Sequence, residues 1–240
     1  MKKLTIKDII YITSTTLLVA GLVTTIVVYN VQLNAKKSQD NFQLYYDQKV
    51  AAYNVENANY SKGQIVFIGD SITDLYHLND YYNDLPLATY NRGIGGDTTQ
   101  GVINRLKVSL YDIAPSEIVL MIGINDLNGG VPSETIVNNY RTIIDGIKTN
   151  LPEAKLFTMG IAPLAISFNY GDILAKNNQI IAINSEIKAL SEAKGYTHVN
   201  LYDALKRDDE NALKEEYTID GIHLSDAGFA VWTSQVKPLL

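Results

Sequence analysis

A serine and a histidine far apart in this 240-residue chain sit in surroundings that could make them a nucleophile and its base. Gly69-Asp70-Ser71-Ile72-Thr73 follows a short apolar run, Ile65–Ile68, so Ser71 falls at a strand-to-helix turn. A hydroxyl placed there projects toward solvent at a helix N-terminus, where backbone N–H groups point outward, as an attacking serine requires. An Asp or Ser that merely caps the next helix is the competing reading, and the segment alone fits both. Near the other end, Asp220-Gly221-Ile222-His223-Leu224-Ser225 precedes the last helical stretch. A carboxylate three residues before a histidine in a turn can reach its Nδ1–H and leave Nε2 to take a proton, the arrangement of a general base. The other two histidines sit in different surroundings: His77 falls on a helical stretch and His198 begins a strand, so structural or solvent roles are the default for both.

Two further clusters have the residue types to bind an anionic oxygen. In Asn91-Arg92-Gly93-Ile94-Gly95-Gly96-Asp97-Thr98-Thr99-Gln100, three glycines within four residues let the backbone approach a ligand closely. The fit to G-x-G-x-x-G is poor, which argues against dinucleotide binding. Asp97 and Gln100 have the spacing of a capping box. In Gly123-Ile124-Asn125-Asp126, the Asn125 amide can offer an N–H to an oxyanion beside Ser71, although an isolated turn of this kind more often holds a plain turn Asn. The chain has no cysteine, which excludes disulfides, thiolate metal sites and a cysteine nucleophile. It has no H-E-x-x-H for zinc and no G-x-S-x-G elbow of an ordinary α/β-hydrolase.

The elements that must position these clusters alternate. Candidate strands are Ile65–Ile68, Ala88–Asn91, Ile118–Ile122, Leu156–Gly160 and His198–Leu201, separated by helical patterns near 73–84, 98–110, 133–150 and 173–194, with a last helix near 225–237. Strand–helix alternation predicts parallel βαβ units and a three-layer α/β/α sandwich with a five-stranded sheet. In such sheets ligands bind beyond the carboxyl ends of strands, where these clusters fall.

The order G-D-S, G-G-D, G-x-N-D and D-x-x-H resembles the SGNH (GDSL) hydrolase family over about residues 63–240. Within it, the stretch Asn91–Leu106 is similar to the catalytic subunits of platelet-activating-factor acetylhydrolase. The resemblance implies a flavodoxin-like parallel sheet, with Ser71 as nucleophile, His223 as base and Asp220 orienting it. It also implies an oxyanion hole made by the N–H of Ser71, the N–H of Gly96 and the side chain of Asn125, with no metal and no cofactor. The implied activity is hydrolysis of short-chain acyl or acetyl esters through an acyl-enzyme, on a small ester or an acylated glycan. Lipid or lysophospholipid deacylation, acyl transfer to a glycan and a non-catalytic binding protein are the alternatives.

The N-terminal part reads differently. No charge falls between Asp8 and Lys36, and Ile9–Leu33 is rich in Ile, Leu, Val and Thr. As a helix it would be roughly 37 Å long, enough for a hydrocarbon core of about 30 Å. The expectation is a cytoplasmic N-terminus over 1–8 and one transmembrane helix over 9–33. A stalk over 34–62 and a hydrolase domain over 63–240 would follow. Lys2, Lys3 and Lys7 outnumber Lys36 and Lys37, which places the body outside a cell membrane crossed once. From Asn41 onward 15 basic residues face 24 acidic ones, an unsuitable balance for nucleic acid.

Overall fold

The computed structural model describes residues 5–168 and 171–240 and, in its first helix, the side chains other than those at 9, 10, 12, 14 and 16–19. The chain forms two units, Met1–Asp47 and Gln48–Leu240. Helix α1, Ile6–Glu56, makes up the described part of the first and enters the second. No helix among the described residues is long and apolar enough to cross a membrane. This overturns the transmembrane helix expected over 9–33, and with it the single-pass, cell-membrane placement with an extracellular body and the membrane contact through that helix. The side chains at 9, 10, 12, 14 and 16–19, eight of the 25 in that span, lie outside the described residues. Thr15, Thr24 and Thr25 donate to carbonyls four residues back at 2.8, 2.9 and 2.9 Å. Lys2 and Lys3, which set the expected orientation, lie outside the described residues.

The second unit holds five strands: β1 (Ile65–Gly69), β2 (Thr89–Gly93), β3 (Glu117–Met121), β4 (Lys155–Gly160) and β5 (Thr197–His198). All neighbours are parallel, in the order β2-β1-β3-β4-β5. After α1 come α2 (Ser71–Asp74), α3 (Leu78–Tyr82), α4 (Thr99–Leu106), α5 (Ile124–Asn128) and α6 (Ser133–Asn150). They are followed by α7 (Ile173–Ala193), α8 (Leu201–Leu205) and α9 (Asp226–Val236). The period-two alternation of side chains sorts the core into two faces. Val66, Ile68, Ile118, Leu120 and Leu156 pack with residues of α4, α6 and α7. Ile65, Phe67, Val119, Met121 and Phe157 pack with residues of α3, α8 and α9. The result is the expected three-layer α/β/α sandwich with a five-stranded parallel sheet. Strand order reverses direction at β1, and Gly69 stands level with both Gly93 and Met121, so three carboxyl ends share one level at a topological switch point.

Two elements depart from the sequence pattern. The single helix expected near 73–84 is broken into α2 and α3, because the Asn91 amide takes the carbonyls of Thr73 (2.6 Å) and Tyr76 (3.0 Å). The strand expected over His198–Leu201 stops at His198, and Asn200 instead caps α8 by accepting the N–H of Asp203 at 3.2 Å.

Residues from Gln48 onward lie in the second unit, so part of the segment read as a stalk belongs with the sheet. Tyr53 is buried and donates its hydroxyl to the carbonyl of Gly93. The guanidinium of Arg92, fully buried, lies 4.3 Å from the Tyr53 ring centre and 4.6 Å from that of Tyr60, and donates to Glu56 (2.5 Å) and Asn57 (2.6 Å). Removing one partner of a buried charge typically costs about 3–5 kcal/mol. A chain starting at Gly63 is therefore expected to melt roughly 6–20 °C below one starting at Asn34, if it stays in solution at all. Equal melting temperatures would show that these contacts contribute nothing.

Candidate active site

β1 ends at Gly69 because nothing larger fits: a Cβ there would lie 2.2 Å from both the Met121 carbonyl oxygen and Thr73 Oγ1. Asp70 then caps α2, its carboxylate accepting the N–H of Ile72 at 3.0 Å. With the cap supplied by Asp70, the hydroxyl of Ser71 is directed elsewhere, and its Oγ lies 2.8 Å from Nε2 of His223. Of the two readings of this cluster, capping and presentation of a hydroxyl, the structure divides them between adjacent residues.

His223 reaches Ser71 from the loop before α9. Its Nδ1 is 2.6 Å from Asp220 Oδ2, while Asp220 Oδ1 accepts the backbone N–H groups of Ile222 (3.0 Å) and His223 (2.8 Å). Partial burial alone would raise the Asp220 pKa, but the His223 side chain and these two N–H groups outweigh it and hold the carboxyl below its ordinary value. The loop is closely seated. Gly221 has φ +92°, a Cβ there would lie 2.7 Å from the backbone N of Phe168, and its carbonyl accepts the N–H of Ala165 at 2.9 Å.

The third and fourth clusters meet beside Ser71's loop. Gly96 is exposed at φ +78°, in the turn between β2 and α4. Asn125, in the first turn of α5, donates Nδ2–H to the carbonyl of Asp97 at 2.9 Å. An amide nitrogen carries two hydrogens, so this bond orients Asn125 and leaves the second to a ligand. The capping box expected of Asp97 and Gln100 is not formed. Thr98 is the cap of α4, accepting the N–H of Gly101 at 3.1 Å, and Gln100 bonds Asn104. Asp97 is drawn away by a charge: its Oδ2 accepts Nε–H of Arg105 at 2.8 Å, with both side chains buried. Gly101 makes room for this carboxylate, since a Cβ there would lie 1.8 Å from Asp97 Oδ1. Arg105 was not singled out from the sequence. Its signal is a charged residue on the face of α4 that carries the buried Val102 and Leu106.

Three buried carboxyls, Asp70, Asp97 and Asp126, thus share this region with one guanidinium. Asp126 accepts the N–H (2.9 Å) and the hydroxyl (2.6 Å) of Thr99. Burial pushes all three pKa values up, Asp70 from 3.8 to about 7. A carboxyl whose pKa is raised by folding adds stability at low pH and loses it as pH rises from its unfolded value through the folded one, here between about 4 and 7. Asp70→Asn keeps an acceptor for Ile72 but has no proton to lose. Its melting temperature at pH 8 is expected to exceed that of the unsubstituted chain by a few degrees, at about 2–4 °C per kcal/mol. At pH 4 the gain should vanish. A gain of the same size at both pH values would contradict a titrating Asp70.

The other histidines are not brought to Ser71. His77 is exposed at the start of α3, and His198 has Nδ1 3.0 Å from Thr158 Oγ1, with burial lowering its pKa. Among the described residues no group of three or more acidic or histidine side chains is placed to hold a metal ion. A groove of about 520 Å³ is walled by residues that follow each half of the pair: Leu75, His77, Asp80 and Tyr81 after Ser71, and Leu224, Ser225, Asp226 and Phe229 after His223. A second groove of about 390 Å³, with His198, Lys188 and Tyr202 in its walls, contains none of the four clusters.

Comparison with known proteins identifies relatives of this chain. Residues 67–231 match the model of the GDSL-like lipase/acylhydrolase family. The chain is 29% identical over 174 residues to the alpha2 subunit of platelet-activating factor acetylhydrolase IB from Homo sapiens, covering 69% of this chain and 71% of that one. It is 30% identical over 175 residues to the alpha1 subunit from Rattus norvegicus, covering 69% and 70%. A solved structure from Streptococcus pneumonia, named for platelet activating factor, superposes with a TM-score of 0.79 at 27% identity, covering 86% of this chain and 98% of that one.

Proposed function

Since the chain belongs to the GDSL-like lipase/acylhydrolase family, we propose that it is a serine ester hydrolase acting through an acyl-enzyme on short, in particular acetyl, esters. The observation that carries this reading is the unbroken line Ser71 Oγ to His223 Nε2 to Asp220, at 2.8 and 2.6 Å. In the first half-reaction Ser71 Oγ attacks the ester carbonyl carbon while Nε2 of His223 takes its proton. Asp220, ionised, accepts Nδ1–H, fixes the imidazole tautomer and stabilises the imidazolium as it forms. The N–H groups of Ser71 and Gly96 and the second amide hydrogen of Asn125 receive the oxyanion. His223 then gives its proton to the departing alkoxide, which leaves as the alcohol. In the second half water attacks the acyl carbon, its proton passes to His223 and then to Ser71 Oγ, and the carboxylic acid is released.

The acetyl preference draws on the names of the relatives, which are acetylhydrolases, and on the lack of a long apolar insertion between the motifs that could form a lipid-binding lid. A p-nitrophenyl ester series from acetate to decanoate tests it. kcat/KM is expected to be highest for acetate or butyrate and to fall by about tenfold or more at decanoate. A maximum at decanoate would replace the short-ester reading with lipid deacylation. Failure to cleave any member, together with no labelling by an organophosphonate, would reject the esterase reading itself.

A further inference from the structure

Arg105 touches none of the groups assigned a step above, yet its bonds converge on the backbone that carries them. It is 1% exposed, at the end of α4. Nη2–H donates to the Gly69 carbonyl at 2.9 Å, Nη1–H to the Arg92 carbonyl at 2.8 Å and to Ser109 Oγ at 3.0 Å, and Nε–H to Asp97 Oδ2 at 2.8 Å. Gly69 and Arg92 lie at the carboxyl ends of the two adjacent strands from which the Ser71 turn and the glycine turn emerge. The Gly69 carbonyl also accepts the N–H of Ile94 at 3.1 Å, so one oxygen ties the start of the glycine turn to the end of β1. Asp97, one residue after Gly96, is the fourth anchor, and its own carbonyl is the acceptor that orients Asn125.

We propose that Arg105 is a positioning residue for the oxyanion hole. Its planar fork of donors holds the Gly69 carbonyl, the Arg92 carbonyl and the Asp97 carboxylate in one rigid set. The three oxyanion donors are thereby fixed relative to one another: Ser71 N–H through Gly69, Gly96 N–H through Asp97, and Asn125 Nδ2–H through the Asp97 carbonyl. This inference rests on the serine-esterase reading. It goes beyond it by assigning the geometry of the hole to a residue that never meets substrate. Donors of this kind act on the transition state, where charge develops, so a displaced hole lowers kcat and leaves KM nearly unchanged. His223 and Asp220 hang from a different loop, so the pH dependence set by that pair should not move.

The test is a double-mutant cycle on the full chain with p-nitrophenyl acetate: Arg105→Lys, Asn125→Ala and both together. Lysine keeps the charge beside Asp97 but cannot span both carbonyls. Arg105→Lys is expected to lower kcat by about 10–100-fold with KM within about twofold, and to leave the acid limb of the kcat/KM profile in place. Because part of its effect passes through Asn125, the same substitution should cost several-fold less in the Asn125→Ala background. Should Arg105→Lys fail to fold, Asp97→Asn, which removes the charge and one of the two acceptor oxygens that Arg105 and Thr98 use, takes its place in the cycle with the same expectations. Unchanged kcat, a shifted acid limb, or equal losses in both backgrounds would overturn the positioning role. An active Ser71→Ala would instead reject the esterase reading beneath it, so the two failures are told apart.

Discussion

Ser71→Ala is expected to lower kcat for p-nitrophenyl acetate by about 10⁴–10⁶-fold and to abolish covalent labelling by an organophosphonate. The size of the effect follows from the chemistry: without Oγ there is no atom to accept the acyl group, and His223 has no proton to take from a bound nucleophile. The remaining activity would come from the oxyanion donors and from binding, both of which the substitution leaves in place. Its effect on folding should be small, because the cap of α2 is the carboxylate of Asp70, and the Ser71 hydroxyl is bonded to His223. The melting temperature and the KM of any residual turnover serve as controls. The measurement that decides is the intact mass after phosphonate treatment. An adduct on Ser71→Ala, or turnover near that of the unsubstituted chain, would remove Ser71 from the mechanism.

The parts of this site legible in the sequence are those defined by short spacing. Asp220 and His223 are three residues apart, a spacing that lets a turn bring carboxylate to imidazole, and Thr218 and Ala165 hold that turn in place. Ser71 was legible because a strand immediately precedes it, but its hydroxyl was not distinguishable from a cap until Asp70 was seen to do the capping. Asp97 departs from its sequence pattern for a related reason. Capping-box spacing is a local pattern, and a buried guanidinium eight residues on competes for the same carboxylate and wins. Arg105 itself gave only the faint signal of a charge on an apolar helix face, since its partners at 69, 92 and 97 are gathered by strand pairing rather than by sequence. The sheet was legible because its strands are buried apolar runs separated by helical periods. The break between α2 and α3 was not, because the Asn91 amide that causes it comes from β2. The length and lack of charge of the N-terminal span predict a membrane helix, but no helix among the described residues is long and apolar enough to cross a membrane.

His223→Ala carries the second large expectation, and it separates the base from the other imidazoles. Loss of the base leaves Ser71 as an ordinary alcohol, a weak nucleophile at neutral pH, so kcat/KM should fall by about 10⁴-fold or more. Asp220→Asn should fall by a similar order, about 10⁴-fold, for a different reason. An amide in place of the carboxylate can present a donor to Nδ1, which favours the tautomer with the proton on Nε2 and removes the lone pair that must accept from Ser71. The two substitutions should therefore not add: with His223 already absent, Asp220→Asn should cost little more. Two controls come from the structure. His77 is exposed, and His198 is bonded to Thr158, so His77→Ala and His198→Ala should keep kcat/KM close to that of the unsubstituted chain, His198→Ala at some cost in melting temperature. The readout is kcat/KM below the melting temperature of each variant, with the double substitution Asp220→Asn/His223→Ala alongside. Strict multiplication of the two losses would mean that Asp220 acts other than through His223. A folded His77→Ala or His198→Ala as impaired as His223→Ala would move the base to a different imidazole.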